Sequence, residues 1–102
     1  MYKIKYLPLA LKDLRNITDY ISDTLKAPKA AVDLIDALDN SISRLAKFPY
    51  SCKVYQPIKP LEAEYRLLPV KNYLVFYAVT EHDEVEIHRV IYKRMDLKKL
   101  IK

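Results

Sequence analysis

Apolar and polar residues follow a pattern in the second half of the chain that predicts a β-sheet. Three runs rich in β-branched and aromatic residues, 65–70, 73–79 and 85–92, are separated by short polar breaks. Such runs are typical of strands, and breaks this short favour antiparallel neighbours. The middle run is apolar on both faces, which is typical of a central strand with cover on both sides. We therefore predict a three-stranded antiparallel meander.

The first half of the chain predicts one strand followed by two helices. Residues 2–7 alternate between apolar or aromatic side chains and lysines, which indicates a half-buried strand. Leucine and isoleucine then recur every three or four residues, first over 8–26 and again over 28–48. Pro8 and Pro28 suit the first turn of each helix, because the N–H that proline lacks has no partner there. The short connection between the helices favours an antiparallel hairpin.

The apolar stripes also predict which helical side chains build the core. In the first helix these are Leu11, Leu14, Ile17, Ile21 and Leu25. In the second they are Ala31, Leu34 or Ile35, Leu38, Ile42 and Leu45, with Phe48 closing the stripe. The charged positions between them, Asp13 included, are expected to face solvent. A short basic helix is predicted after the last strand.

These elements predict a single α+β domain over residues 1–102. Its order is an N-terminal strand, a two-helix antiparallel hairpin on one sheet face, the three-stranded meander and the short C-terminal helix. The chain contains no glycine, so Asn72 and Asp83 are expected to make tight turns. The same absence excludes every glycine-rich phosphate loop, and with it the usual nucleotide-binding motifs.

Cysteine and histidine are scarce, and this narrows the possible chemistry. One cysteine and two histidines are too few for a structural zinc site, so neither a metal nor a cofactor is predicted. The sequence shows no signal peptide and no apolar run long enough to span a membrane. The lone Cys52 suits a reducing compartment. A cytoplasmic protein is therefore expected.

The positive charge of the chain is concentrated at its C-terminal end. The formal net charge is +5, and the last fourteen residues hold six of the 18 cations with only one of the 13 acids. The rest of the chain is therefore neutral. A field concentrated at one end favours a polyanionic partner, either nucleic acid or an acidic peptide. The alternative is a solvated helix C-terminus, where cations also suit the helix dipole.

The meander and its exit carry the residues with candidate chemistry. RNA cleavage without a metal needs cations for the phosphate charge and groups that move protons. Arg94, Lys93 and Arg66 could hold phosphate charge, while Tyr92 or His88 could move protons. The same residues would also serve as an electrostatic docking patch, and a strand histidine such as His88 is more often structural. The further residues predicted to bind a target or nucleic acid are Arg89, Lys98 and Lys99.

In ordered combination, several segments resemble the RelE/ParE superfamily of toxins from bacterial type II toxin–antitoxin systems. No single motif is diagnostic, but together they cover nearly the whole length. The matching segments are 13–17 and 20–21 in the first helix, 43–49 at the end of the second, 65–77, and 87–97.

The resemblance implies a cytoplasmic toxin that arrests growth until a cognate antitoxin wraps it. RelE-like members cut mRNA in the ribosomal A site without metal, whereas ParE-like members poison DNA gyrase. RelE-like members often have an arginine where this chain has Leu74, and a C-terminal tyrosine where it has Leu100. Only Arg94 matches a RelE-like catalytic cation directly, with Tyr92 and Lys93 near other catalytic positions. The long helical hairpin looks more ParE-like.

The resemblance therefore favours a ParE-like gyrase poison slightly over a RelE-like endoribonuclease. Whether the chain is an enzyme stays open at this point, and the third possibility is a non-toxic nucleic-acid-binding module. The expected partners are an antitoxin and a target, either gyrase or the ribosome with mRNA, and no membrane. We expect the antitoxin to present an acidic, largely apolar segment that folds on binding and covers the hairpin or the basic end.

Overall fold

The computed structural model of the chain describes residues 1–55 and 64–94. Its elements follow the order β1 (Lys3–Tyr6), α1 (Pro8–Asp19), a π-helical turn (Tyr20–Thr24), α2 (Pro28–Ser43), a 3-10 turn (Arg44–Ala46), β2 (Lys53–Val54), β3 (Arg66–Val70), β4 (Tyr73–Val79) and β5 (Glu84–Tyr92). The predicted α+β class is confirmed. The predicted C-terminal helix lies outside the described residues.

The strands form one five-stranded sheet in the order β1-β5-β4-β3-β2. β3, β4 and β5 are antiparallel neighbours, so the predicted meander is confirmed. β1 lies at one edge and pairs in parallel with β5, from Lys3 opposite Glu84 to Tyr6 opposite Ile87. The short β2 at the other edge was not predicted, because two residues are too few to show a hydrophobic period.

The hydrophobic core lies between the helical hairpin and one face of the sheet. Each helix begins at its proline, as predicted, and turns its apolar stripe toward the strands. Burial of each leucine or isoleucine side chain contributes about 2 kcal/mol, so this layer supplies most of the driving force for folding. The buried residues of the layer are Ala10, Leu34, Leu38, Ile42, Leu45, Val70, Val75, Tyr77, Val85, Ile87 and Val90.

The other face of the sheet is also covered, at least around β4. Phe76 is fully buried there, and the rings of Tyr55 and Tyr65 meet it edge to face at 5.3 and 6.4 Å. Ile91 on β5 is 2% exposed. The prediction that the middle strand is buried on both sides is therefore correct.

α1 ends earlier than the sequence predicts, and this moves one expected core residue to the surface. The hydroxyl of Thr18 donates to the carbonyl oxygen of Leu14 at 2.9 Å, a bond that often bends helices. In the π-helical turn that follows, the N–H of Leu25 bonds to the carbonyl oxygen of Tyr20, five residues back. The wider turn breaks the 3.6-residue period, and Leu25 is 55% exposed.

Two further predictions about the helical stripes are wrong. Leu11, although it falls on the expected period, is 51% exposed on α1. Phe48 is 63% exposed because α2 gives way to a 3-10 turn at Arg44, which changes the direction of the residues that follow. At the position where the pattern left a choice, Leu34 is buried and Ile35 is exposed.

The tight turns are made without glycine, but only one expected residue carries the unusual backbone angle. Asp83 has φ 57°, as predicted for the turn before β5. In the turn between β3 and β4 the positive φ of 52° falls on Lys71 rather than on Asn72. Lys26 also has φ 52°, directly before α2. A lysine in the left-handed region costs about 1–2 kcal/mol, so packing around both turns must hold it there.

Within residues 1–55 and 64–94, no helix combines the length and the apolar character needed to cross a membrane.

Candidate target-binding end of the sheet

Three exposed cations lie together where β5 ends. Lys93 and Arg94 follow β5 directly and are exposed, and Tyr92 is 38% exposed. The backbone N–H of Lys93 donates to the carbonyl oxygen of Asn72 at 2.9 Å, which places these residues beside the β3–β4 turn and its exposed Lys71. We call Lys71, Lys93 and Arg94 the basic end. Lys71 was missed by sequence reasoning, because only the pairing of β4 with β5 brings it there.

Arg89 does not belong to the free cations, because α1 holds it. Its Nε donates to Asp13 Oδ2 at 2.7 Å and its second guanidinium nitrogen donates to Asp13 Oδ1 at 3.0 Å. The hydrogen bonds to Asp13 raise the pKa of Arg89 further above its ordinary value. Asp13 was predicted to face solvent, but its side chain is only 11% exposed. That prediction is wrong because the partner of Asp13 lies 76 residues away in the sequence.

Arg66 is likewise bound within the fold. Its guanidinium donates to the carbonyl oxygens of Cys52 at 2.7 Å and Tyr50 at 3.3 Å, and to the carboxylate of Glu64 at 3.2 Å. The same group lies 5.0 Å from the centre of the Tyr50 ring. These bonds fasten the connection after α2 to β3.

Arg66 is also distant from the basic end. It pairs with Tyr77 on β4, whereas Tyr92 pairs with Tyr73 at the other end of that strand. Four residues of strand separate the two positions by about 13 Å. The structure therefore does not bring Arg66 together with Lys93 and Arg94.

His88 occupies a bulge in β5. Phe76 pairs with Arg89 and Tyr77 with Ile87, so His88 is the extra residue between them. Its ring lies edge to face with Tyr65 at 5.0 Å, on the sheet face opposite the helices. Its Nε2 is 3.4 Å from Glu86 Oε1 and makes no hydrogen bond within the described residues. His88 is thus separated by the sheet from the groove side of the basic end.

The last two residues predicted to bind a target, Lys98 and Lys99, lie outside the described residues, as does Leu100. Leu74 is half-buried on β4 opposite Ile91. Within the described residues, no group of three or more histidine, cysteine or carboxylate side chains could hold a metal ion.

Beside the basic end, a groove of about 920 Å³ opens between the helical hairpin and the ends of β4 and β5. Three tyrosines, Tyr20, Tyr73 and Tyr92, line it together with apolar residues of α1 and the hairpin turn. The rings of Tyr73 and Tyr92 meet at 5.6 Å. Burial, with smaller contributions from Tyr92 and Tyr20, raises the pKa of Tyr73. The groove therefore combines apolar walls with several phenol hydroxyls.

Sequence reasoning missed this groove, although one signal for it was available. Tyr20 and Ile21 stand on the π-helical turn and both line the groove. Such turns are frequent at functional sites. A single sequence does not reveal them, because a π-helical turn and an α-helical turn share the same residue preferences.

Comparison with known proteins assigns the fold to a family. The family model for the ParE toxin of the type II toxin–antitoxin system parDE matches residues 4–97. The chain belongs to the ParE toxin family. It is a type II toxin, as its resemblance to the wider superfamily implied. No curated protein matches the sequence significantly.

A solved structure of a ParE-type system has the same fold. The match is to a chain described as "Chromosomal ParDE TA system from P. aeruginosa", with a TM-score of 0.72 and 19% sequence identity. It covers 90% of this chain and 96% of that chain. At this identity the likeness shows the ParE fold, while the roles of individual residues rest on their own geometry.

Proposed function

We propose that this ParE-family toxin arrests bacterial growth by acting on DNA gyrase in the cytoplasm, and that a cognate antitoxin holds it inactive. The observation that carries the proposal is the match to the ParE model over residues 4–97. The basic end is the proposed contact with the target, since DNA-bound gyrase presents a strongly anionic surface.

The charges around the basic end support this role. Lys71, Lys93 and Arg94 are exposed, and no carboxylate of the described residues lies within 4 Å of their charged nitrogens. Their charge is therefore available to a partner. Exposed cations of this kind speed association with anionic surfaces and make binding sensitive to salt.

Two features weigh against cleavage of mRNA as the mode of action. A metal-free nuclease needs several cations and proton-transfer groups around one phosphate. Here Arg66 and Arg89 are engaged by carbonyl and carboxylate oxygens, and His88 lies on the opposite sheet face. Among the described candidates, this leaves Tyr92, Lys93 and Arg94 at the end of β5.

The test is an assay of purified gyrase with relaxed plasmid and ATP in the presence of the toxin. We expect less supercoiling and an accumulation of linear DNA from trapped cleavage complexes. The double variant Lys93→Ala/Arg94→Ala should lose both effects. The matched control is Lys12→Ala/Lys29→Ala, which removes two exposed helical cations and should behave as the parent protein does.

Growth arrest on expression establishes that the preparation is active before the assay. Active protein that leaves gyrase unaffected would overturn the gyrase assignment. The same preparation is then added to ribosomes stalled with an empty A site. Cleavage of the mRNA there, lost in Arg94→Ala, would make the toxin an endoribonuclease instead.

A further inference from the structure

The strand that carries the basic end is paired on its outer side over only half its length. β5 runs from Glu84 to Tyr92, but β1 pairs with it only from Glu84 to Ile87. After Tyr6 the chain leaves the sheet and begins α1 at Pro8. The second half of β5 therefore has no strand beside it among the described residues. An unpaired edge of this kind is a template for another extended segment.

The bulge at His88 determines which backbone groups point outward on this edge. The N–H of Lys93 bonds to the carbonyl oxygen of Asn72, so residue 93 points toward β4. In an antiparallel pair, residues point alternately toward and away from the neighbouring strand. The N–H and C=O groups of Val90 and Tyr92 therefore point away from β4, along the open edge.

Asp13 satisfies only the first of these groups. Its Oδ2 accepts a hydrogen bond from the backbone N–H of Val90 at 3.0 Å, while the same carboxylate binds Arg89. Charged side chains are a common means of blocking an exposed edge. The C=O of Val90 and both backbone groups of Tyr92 have no such partner within the described residues.

The groove runs alongside this open edge. Arg89, Val90 and Tyr92 line it from the strand, and Asn16 and Tyr20 line it from α1. A segment that pairs with the edge would place alternate side chains into the groove, where the walls are apolar and phenol hydroxyls are available. The groove thus supplies side-chain specificity next to unsatisfied backbone groups, which is the arrangement used when a peptide adds a strand to a sheet.

The charge around the groove indicates which kind of segment fits. The exposed basic end lies at its mouth, with Lys71 among the residues that line the groove. An acidic flank on the incoming segment would pair with these cations. A helical segment could fill the groove with side chains, but it could not bond the backbone groups of Val90 and Tyr92, because a helix uses its own.

We propose that the antitoxin inhibits this toxin by adding an extended, acidic and apolar segment to the open edge of β5 at Val90 and Tyr92, with its apolar side chains in the groove. The inference rests on the proposed toxin–antitoxin function. It replaces the broader expectation of a segment over the hairpin or the basic end with one edge, one backbone conformation and one groove.

The decisive variant removes a single backbone donor. Because the N–H of Tyr92 points away from β4, Tyr92→Pro deletes the edge donor without breaking the bond ladder to β4. Tyr92→Ala is the matched control, since it loses the same side chain but keeps the N–H. The probes are overlapping synthetic peptides from the protein encoded beside this gene, and the measurement is their dissociation constant. We expect Tyr92→Pro to bind about tenfold more weakly than Tyr92→Ala.

Hydrogen exchange of the unaltered toxin tests the same bond without a substitution. The amide of Tyr92 should exchange quickly in the free protein and slowly in complex with the best-binding peptide. The amide of Lys93, already bonded to Asn72, should be slow in both states and serves as the reference.

The outcomes separate the two levels of the proposal. Binding with equal affinity of both variants and no protection of the Tyr92 amide would overturn the edge assignment alone. Protection of that amide in free toxin, rising with protein concentration, would assign the edge to a second copy and overturn it as well. If the protein encoded beside this gene neither binds nor relieves growth arrest, the proposed pairing fails, and this inference fails with it.

Discussion

The inner arginines and the outer cations of this toxin have opposite surroundings, although both groups stand on the meander and its exit. Arg66 and Arg89 have side chains only 16% and 19% exposed, and each is bound by several oxygens of the fold. Lys71, Lys93 and Arg94 are exposed and have no ion pair within the described residues. The difference shows that a cation near a functional surface in sequence can be part of the scaffold in space.

This contrast separates stability from activity in a way that substitutions can test. A half-buried cation held by a carboxylate or by carbonyls stabilises the fold, and breaking the set leaves unpaired polar groups. An exposed lysine contributes little to stability, and its charge is available to a partner. The expected loss in unfolding free energy therefore decreases from the inner to the outer cations.

The largest loss is expected for Asp13→Ala. It would leave the guanidinium of Arg89 and the N–H of Val90 without their acceptor, at a cost of about 3 kcal/mol in unfolding free energy. Urea denaturation measures this loss. Asp19→Ala removes an exposed carboxylate from the same helix and should change stability by no more than about 0.5 kcal/mol. A loss for Asp13→Ala as small as that of the control would show that the ion pair contributes nothing.

A loss of about 2 kcal/mol is expected for Arg66→Met, which keeps the apolar stem but deletes the donors to Tyr50 and Cys52. Arg66→Lys should recover only a part of it, because an ammonium group cannot reproduce the planar fork of a guanidinium. Thermal or urea unfolding of the three proteins measures the order. Full recovery by lysine would mean that charge alone matters at this position.

A smaller effect, dependent on pH, is expected for Tyr77→Phe. The Tyr77 hydroxyl donates to the carbonyl oxygen of Pro49 at 2.7 Å, and burial raises its pKa well above the ordinary value of 10.0. The variant should lose about 1 kcal/mol at neutral pH.

The direction of the pH effect follows from linkage. Above pH 10 the unfolded chain releases the phenolic proton that the folded protein keeps, so stability present below pH 10 falls as the pH rises further. Tyr77→Phe should show a shallower fall than the parent protein. Denaturation at a series of alkaline pH values measures both slopes, and identical slopes would contradict the assignment to Tyr77.

The smallest effect on stability is expected for Lys93→Ala/Arg94→Ala, within about 0.5 kcal/mol of the parent protein. Growth arrest, by contrast, should be lost, because these cations are the proposed contact with the target. Expression in a sensitive strain and urea denaturation of the same variant make the comparison. Arrest that survives at parental strength would move the working surface away from the basic end.

Much of the fold could be predicted because its signals are local. The strands of the meander alternate or are continuously apolar, and a proline marks the start of each helix, so neither depends on distant partners. Leu25 and Phe48 were misplaced because a π-helical turn and a 3-10 turn change the helical period. β2 escaped notice because only its pairing with β3 makes it a strand.

Less of the candidate site could be predicted. The proximity of Tyr92, Lys93 and Arg94 follows from their being consecutive, and their exposure follows from the end of β5. The engagement of Arg89 by Asp13, and of Arg66 by two carbonyls, depends on tertiary contacts across 76 and 14 to 16 residues. A sequence alone contains no signal for such contacts, so all the arginines look equally available.

The pairing of the first strand with the last also determines when this toxin can be complete. Lys3 lies opposite Glu84, and Asp13 meets Arg89, so the N-terminal strand and helix find their partners only after β5 has been synthesised. Contacts of such long sequence separation slow folding, because a long loop must close before they form. A partly synthesised chain therefore lacks one edge of its sheet, the clamp on α1 and the basic end. For a growth-arresting protein, the order of folding delays the assembled surface until almost the entire message has been translated.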